Sequence, residues 1–201
     1  MPKLGMEPVR RRQVIDATME CIYLDGMART SLQRIARHAG ITSGLILHYF
    51  DDKEGLFKAV YRDLYRRLAE ETALRLKRAE TPLEKLFAIL EAQVCDEMVE
   101  PRTVATWFAI CAKSSETPAL ARLERINSKR LLSNLVYILK LSGLSHIEAV
   151  EIAEELLAMI YGLWSNLANH AIFDPEQARA ILFRFIRVRI PQLEKIRLRK
   201  A

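Results

Sequence analysis

Apolar residues recur at three- and four-residue spacing along most of this chain of 201 residues, and that helical period limits the possible folds. Only seven Gly and seven Pro occur, which suits long helices with short connections better than a turn-rich β architecture. Pro82, Pro101, Pro118 and Pro175 each stand where a first helical turn or its preceding loop would lie. The sequence therefore predicts an all-α fold of about nine helices. The predicted helices cover residues 7–25, 32–38, 43–49, 53–78, 82–99, 102–114, 118–141, 146–171 and 175–191.

The positive charge of the chain is unevenly placed. Residues 1–67 carry 12 Lys and Arg against 8 Asp and Glu, whereas residues 68–190 carry 15 against 16. A basic head on a near-neutral body fits an anionic partner for the head alone. Nucleic acid is one partner of that kind.

Two short helices with a three-residue break are predicted over residues 32–38 and 43–49. Gly40 lies in the break and can adopt a positive φ, and Ile35 and Ile46 can meet in a small core between the helices. Hydroxyl side chains able to cap a helix precede both segments, namely Thr30, Ser31, Thr42 and Ser43. This spacing is that of a helix-turn-helix, whose second helix enters the major groove of DNA.

The same segment matches a known family. The run TSLQRIARHAGITSG at residues 30–44, followed by HYF at 48–50 and LF at 56–57, resembles the DNA-binding domain of the TetR family of bacterial repressors. The resemblance implies a three-helix DNA-binding domain over residues 1–52 and a helical ligand-sensing and dimerisation domain over residues 53–201.

The resemblance also implies which positions contact double-stranded operator DNA. Hydroxyls and backbone N–H groups at the start of the second helix would meet phosphates or base edges, and leucines would touch thymine methyls. These positions are Thr30, Ser31, Thr42, Ser43, Gly44, Leu45, Leu47, His48, Tyr49 and Lys53. The second helix lacks Arg, Lys, Asn and Gln, so specificity would depend on apolar contacts, backbone position and DNA shape.

The last two predicted helices carry long apolar stripes. Because a single short motif gives little specificity, such proteins usually read a two-fold operator as a homodimer, and these stripes are candidates for its interface. The candidate interface residues are Leu156, Ile160, Leu163, Leu167, Leu182, Phe185 and Ile186. The alternative is that the stripes face only the core of their own subunit.

Aromatic residues and acids in the body indicate a sensing site for a small molecule. An aromatic box beside a carboxylate suits a quaternary ammonium held by cation–π attraction, and a flat hydrophobic drug would suit it almost as well. For each ring, ordinary core packing remains the alternative. The candidate residues are Trp107, Phe108, Tyr161, Trp164, Asp96 and Glu97, with Phe87 and Glu91 nearby in the sequence.

Further stretches resemble one branch of the family, the repressors that sense choline and control glycine-betaine biosynthesis. They are MPKLGM at residues 1–6, RRRQ at 10–13, SKRLLSNL at 128–135 and GLW at 162–164. By this resemblance choline is the effector, and it releases the repressor from genes for choline uptake and oxidation. A repressor of an efflux operon that responds to another hydrophobic or cationic ligand is the alternative.

Other classes of protein fit the sequence poorly. The three cysteines are far apart without a Cys-x-x-Cys pair, which argues against a disulfide framework or a zinc ribbon and favours a reducing cytoplasm. The four histidines show no HExxH spacing, and no glycine-rich phosphate loop or nucleophile motif occurs. We therefore expect neither an enzyme nor a metal or cofactor site. A membrane-surface adaptor would use the basic tail at residues 195–200, a tail that is short and better explained by solvation.

Overall fold

The computed structural model describes residues 6–170 and 174–191, and it confirms the all-α prediction. Within those residues the chain forms ten α-helices and a 3₁₀ helix at Met27–Arg29, with no strand. The α-helices are α1 Met6–Asp25, α2 Leu32–Ala39, α3 Ser43–Phe50, α4 Lys53–Leu76, α5 Pro82–Gln93, α6 Asp96–Val99, α7 Pro101–Ser114, α8 Pro118–Leu141, α9 His146–His170 and α10 Pro175–Arg189. The basic tail at residues 195–200 lies outside the described residues.

The first compact unit comprises residues 1–67 and 101–124. Helix α1 packs on α2 and on α7 and buries Val14, Met19 and Ile22. Helix α7 buries Trp107 beside Tyr61 and Tyr65 of α4, with ring centroids 5.5 and 4.7 Å away. Because of this packing, residues 101–124 belong to the same unit as the N-terminal helices. The boundaries of the compact units therefore differ from the functional boundary predicted between residues 52 and 53.

The second unit comprises residues 68–100 and 125–201. Helix α10 packs on α5 and α9, and its start is fixed by the Asp174 side chain, which accepts a hydrogen bond of 2.7 Å from the Gln177 N–H. Arg189 near the end of α10 pairs with Glu155 of α9 at 3.0 Å. Among residues 6–170 and 174–191, the structure contains no candidate membrane-spanning helix.

One predicted helix is interrupted. The segment expected to be continuous over residues 82–99 ends at Gln93, and α6 begins at Asp96 after the extended residue Cys95 (φ −75°, ψ 159°). Val94 and Cys95 are both buried at this break, so packing rather than a turn residue causes it. No Gly or Pro marks the position in the sequence.

Candidate nucleic-acid interface

Helix α3 begins at a well-formed cap and presents two different faces. The Thr42 hydroxyl oxygen accepts a hydrogen bond of 3.3 Å from the Leu45 N–H, which ends the extended segment and starts the helix. Ile46 and Phe50 are buried on the inner face. On the outer face Thr42, Gly44, Leu47 and His48 are exposed, and Ser43, Leu45 and Tyr49 are half-buried. A polar and apolar strip of short side chains is therefore open to a partner.

Helix α2 supports α3 from behind. Ser31 caps α2 by accepting a hydrogen bond of 3.2 Å from the Arg34 N–H, and Gly40 ends it in the left-handed region at φ 63°. Ile35 of α2 and Ile46 of α3 are both fully buried. The predicted helix-turn-helix geometry is thus present, with the turn at Gly40.

The structure corrects the prediction for Thr30. Its side chain is fully buried, and its hydroxyl donates a hydrogen bond of 2.9 Å to the Gly26 carbonyl oxygen. A phosphate cannot reach it, because Thr30 anchors the loop before α2 while its neighbour Ser31 is the exposed cap. The other nine positions predicted to contact DNA are at least partly exposed and stay predictions.

The junction between α3 and α4 depends on a glycine that sequence reasoning missed. A Cβ at Gly55 would lie 2.0 Å from the Phe50 carbonyl oxygen, so only glycine lets α4 start this close to the end of α3. The Asp52 carboxylate accepts a hydrogen bond of 2.6 Å from the Gly55 N–H and caps α4. Lys53 lies at this junction with its ammonium 5.4 Å from the centre of the Phe57 ring. This tight connection fixes α3 to α4.

Helix α1 also contacts the recognition helix. The Arg11 guanidinium lies 5.1 Å from the centre of the Phe50 ring and 5.6 Å from that of Tyr49, and Glu7 pairs with it at 2.8 Å. Arg11 therefore has a packing role inside the protein.

Ion pairs join α1 to α4 in a closed ring. Arg12 bonds Asp16 at 3.0 Å and Asp63 at 3.4 Å, while Arg67 bonds Asp63 at 2.8 Å and Asp16 at 3.0 Å. Burial raises the pKa of Asp63, but the hydrogen bond from Arg66 and the charges of Arg67 and Arg12 outweigh it. The pKa of this carboxyl therefore lies below its ordinary value of 3.8. The i, i+4 spacing of each Arg–Asp pair was visible in the sequence, but the pairing between helices was not.

The residues predicted to form an aromatic box belong to different units. Trp107 lies in the first unit, where its ring contacts those of two tyrosines. Trp164 lies in the second unit, is 4% exposed, and donates a hydrogen bond of 2.7 Å from Nε1 to the Gln93 carbonyl oxygen. The Tyr161 hydroxyl lies 3.2 Å from that of Ser128. Phe108 is half-buried, and Asp96 and Glu97 are exposed. All six stay predictions as ligand contacts.

A groove of about 610 Å³ opens in the second unit between the end of α4, α5 and α10. Phe87 and Phe183 form part of its lining, with ring centroids 4.2 Å apart. Arg75 is shared by two carboxylates, those of Glu71 and Glu91, the second at 4.0 Å. The lining carries three acids, Glu71, Glu84 and Glu91, and three arginines, Arg75, Arg78 and Arg187, so charges of both signs lie beside the aromatic surface.

The apolar stripes of α9 and α10 face the core of their own chain, which corrects the predicted dimer interface. Five of its members are at most 5% exposed in the single chain and cannot offer surface to a partner. They are Leu156, Ile160, Leu163, Leu182 and Ile186. Leu167 and Phe185 are half-buried and stay predictions for the interface.

Two family models match the chain. Residues 14–60 match the model of bacterial regulatory proteins of the tetR family, and residues 82–191 match the C-terminal domain of the BetI-type transcriptional repressor. Together these matches cover both the helix-turn-helix and the helical body.

Curated relatives match over nearly the full length. The HTH-type transcriptional regulator BetI of Klebsiella pneumoniae is 38% identical over 194 residues, covering 95% of this chain and 99% of the relative. The regulator of the same name from Pseudomonas aeruginosa strain LESB58 is 41% identical over 191 residues, covering 92% and 95%. Among solved structures, a transcriptional regulator from Saccharomonospora viridis in complex with choline superimposes with a TM-score of 0.77 at 19% identity, covering 89% of this chain and 96% of that one. This last likeness shows the fold.

Proposed function

The chain belongs to the TetR family of ligand-responsive transcriptional repressors and is not an enzyme, and we propose that choline releases it from genes for choline uptake and glycine-betaine biosynthesis. The observation that supports DNA reading is the outer face of α3, where Gly44, Leu47 and His48 are exposed on a helix that α2 and the Gly55 junction support. Because bacterial chromosomal DNA lies in the cytoplasm, we propose that the protein acts there.

We propose that the protein reads a two-fold operator as a homodimer through the outer faces of α9 and α10. TetR-family regulators typically act as dimers, and the exposed residues of α9 follow helical spacing at Ile147, Glu151, Ala158 and Gly162. Ala158 and Gly162 are small enough for a partner helix to approach closely. On α10, Val188 is 76% exposed. This surface replaces the buried stripe predicted from the sequence.

The effector site we propose is the groove between α4, α5 and α10. Its size falls in the usual range for small-molecule sites, and Phe87 and Phe183 lie beside the carboxylates of Glu71 and Glu91. A trimethylammonium group would contact the ring faces, with the carboxylates of Glu71 and Glu91 beside it. The predicted residues Trp107 and Trp164 stay alternative candidates for effector contact, each within its own unit.

Release requires coupling between two sites. Helix α4 runs from the junction with α3 into the second unit, where Glu71 and Arg75 line the groove. We propose that effector binding shifts α4 and changes the separation of the paired recognition helices from the roughly 34 Å that successive major grooves require. Choline can shift this equilibrium only if it binds the released state more tightly than the DNA-bound state.

The test is an anisotropy titration of an operator duplex at fixed salt, with and without saturating choline. We expect choline to weaken operator binding, and Phe87→Ala and Glu91→Gln to reduce that effect. Trp164→Phe is the matched variant at the alternative site. Unchanged operator affinity in choline would refute choline as effector, and loss of the response in Trp164→Phe alone would refute the groove.

A lipophilic cation of the kind exported by efflux pumps is the second candidate effector, because the groove is open and has apolar surface at Leu74. Calorimetry with choline, betaine aldehyde and a lipophilic cation separates the two. Tight binding of the lipophilic cation alone would favour an efflux repressor.

A further inference from the structure

A ring of ion pairs connects α1 to α4 within the first unit. Arg12 and Asp16 are one turn apart on α1, and Asp63 and Arg67 are one turn apart on α4. Each arginine bonds both carboxylates, so two bonds run within helices and two cross between them. Two crossing points one turn apart oppose both sliding and rotation of one helix against the other.

The ion pair between Asp63 and Arg67 on α4 is the buried part of the ring, and we expect it to contribute most to stability. The side chains of Asp63 and Arg67 are each 8% exposed, whereas those of Asp16 and Arg12 are 37% and 44% exposed. Exposed ion pairs stabilise little, but a desolvated charge that loses its partner is costly. Arg67 therefore holds the ring in one arrangement.

The ring continues toward α3 through the next residue of α1. Arg11, adjacent to Arg12, has its guanidinium over Phe50 and Tyr49 at the end of the recognition helix. The end of α3 is therefore held at two points, by the Gly55 junction with α4 and by Arg11 of α1. Both contacts act on the last turn of α3, and they add to the support that α3 receives from its packing on α2.

We propose that Arg67 and Asp63, through Arg12 and Asp16, are positioning residues that make α1 a second support for the recognition helix, so that α3 follows the orientation of α4. The inference rests on the proposed function for the role of α3. The effect of the ion-pair ring on how firmly α3 is held, however, can be measured without DNA or effector. Mutations along such a network commonly change coupling without touching either ligand.

The test measures amide hydrogen exchange of the peptide covering residues 43–50 in the full-length protein without DNA or effector. Arg67→Gln removes both bonds that Arg67 makes in the ring. Arg66→Gln is the matched control, because Arg66 donates to the same Asp63 carboxylate at 2.7 Å from within α4 and changes the net charge equally. We expect exchange in α3 to rise about tenfold in Arg67→Gln and to stay near wild type in Arg66→Gln.

A general loss of stability would raise exchange everywhere, so the peptide covering residues 152–163 of α9 is the internal reference. Should Arg67→Gln not fold, Arg67→Lys keeps the charge but has no planar fork to bond both carboxylates, and the same criteria apply. Equal exchange of α3 in both Arg variants and wild type, or equal rises in α3 and α9, would overturn the proposal.

Operator binding supplies the second measurement. We expect Arg67→Gln to weaken specific operator binding about tenfold while its affinity for random duplex changes no more than that of Arg66→Gln. Asp16→Asn combined with Arg67→Gln should weaken binding by less than the sum of the two single losses, since both changes remove the Arg67–Asp16 contact. Additive losses would contradict a shared ring. If wild type binds no operator while α3 exchange still responds to Arg67→Gln, the proposed function fails and the positioning role stands.

Discussion

At the scale of single residues, two threonines with the same sequence context perform opposite tasks. Thr30 is buried and donates to the Gly26 carbonyl oxygen, whereas Thr42 is exposed and caps α3 by accepting from the Leu45 N–H. Sequence predicts that hydroxyls precede both helices, but it cannot tell which of Thr30 and Ser31 is the cap. The burial of Thr30 depends on the preceding 3₁₀ helix, and no local sequence pattern predicted that helix.

At Gly44, we expect one substitution to have opposite effects on stability and on DNA binding. Gly44 lies exposed in the first turn of α3 with no neighbour within 4 Å of a built Cβ. We predict that Gly44→Ala raises the free energy of unfolding by up to about 1 kcal/mol, because alanine is the better helix former. The added methyl group would stand where the backbone approaches DNA, so operator affinity should fall about tenfold. Urea unfolding and anisotropy measure the two effects, and unchanged operator affinity would remove Gly44 from the interface.

Asp63 predicts a pH dependence with a definite sign. Its pKa is lower in the folded chain than the ordinary value of 3.8, so its charge adds stability above that value and the contribution disappears as pH falls toward the folded pKa. We predict that Asp63→Asn destabilises the protein by about 2 to 3 kcal/mol at pH 7. In urea unfolding at pH 3 the difference from wild type should be smaller. A difference that is constant or larger at pH 3 contradicts this assignment.

At the scale of elements, the sequence predicted the helices and turns well where local chemistry defines them. The caps at Ser31 and Thr42 and the left-handed Gly40 are local signals, and the helix-turn-helix follows from them. The break at Val94 and Cys95 carries no such signal, because it arises from burial. Periodicity showed that α9 has an apolar face but not which surface covers it, and Leu156 faces its own core.

The junction between α3 and α4 gives a prediction at this scale. Gly55→Ala makes the same chemical change as Gly44→Ala, but here the new methyl group would meet the Phe50 carbonyl oxygen at 2.0 Å. Since backbone must move to relieve that contact, we expect a loss of about 1 to 3 kcal/mol in the free energy of unfolding. Operator affinity should fall as well, because the end of α3 is displaced. Wild-type stability in Gly55→Ala would mean that the junction is looser than described.

At the scale of the whole molecule, the proposed reading of a two-fold operator depends on two copies of the chain. We predict that Ala158→Arg on the exposed face of α9 converts a dimer to a monomer, because the large charged side chain blocks close helix approach. Ala73→Arg, at another exposed helical alanine, is the control and should stay dimeric. Light scattering gives the mass, to be compared with 23.1 kDa for one chain. A dimeric Ala158→Arg variant would show that the dimer interface lies elsewhere.

The most direct test of the DNA-reading helix-turn-helix is selection of bound sites from random duplex DNA by the purified full-length protein. The account predicts enrichment of a two-fold symmetric site whose half-sites are centred about 10 base pairs, or a multiple of that, apart. Gly44→Ala should bind the recovered site more weakly than wild type. Absence of any enriched sequence at low ionic strength, or equal binding of the recovered and random duplexes, would contradict it.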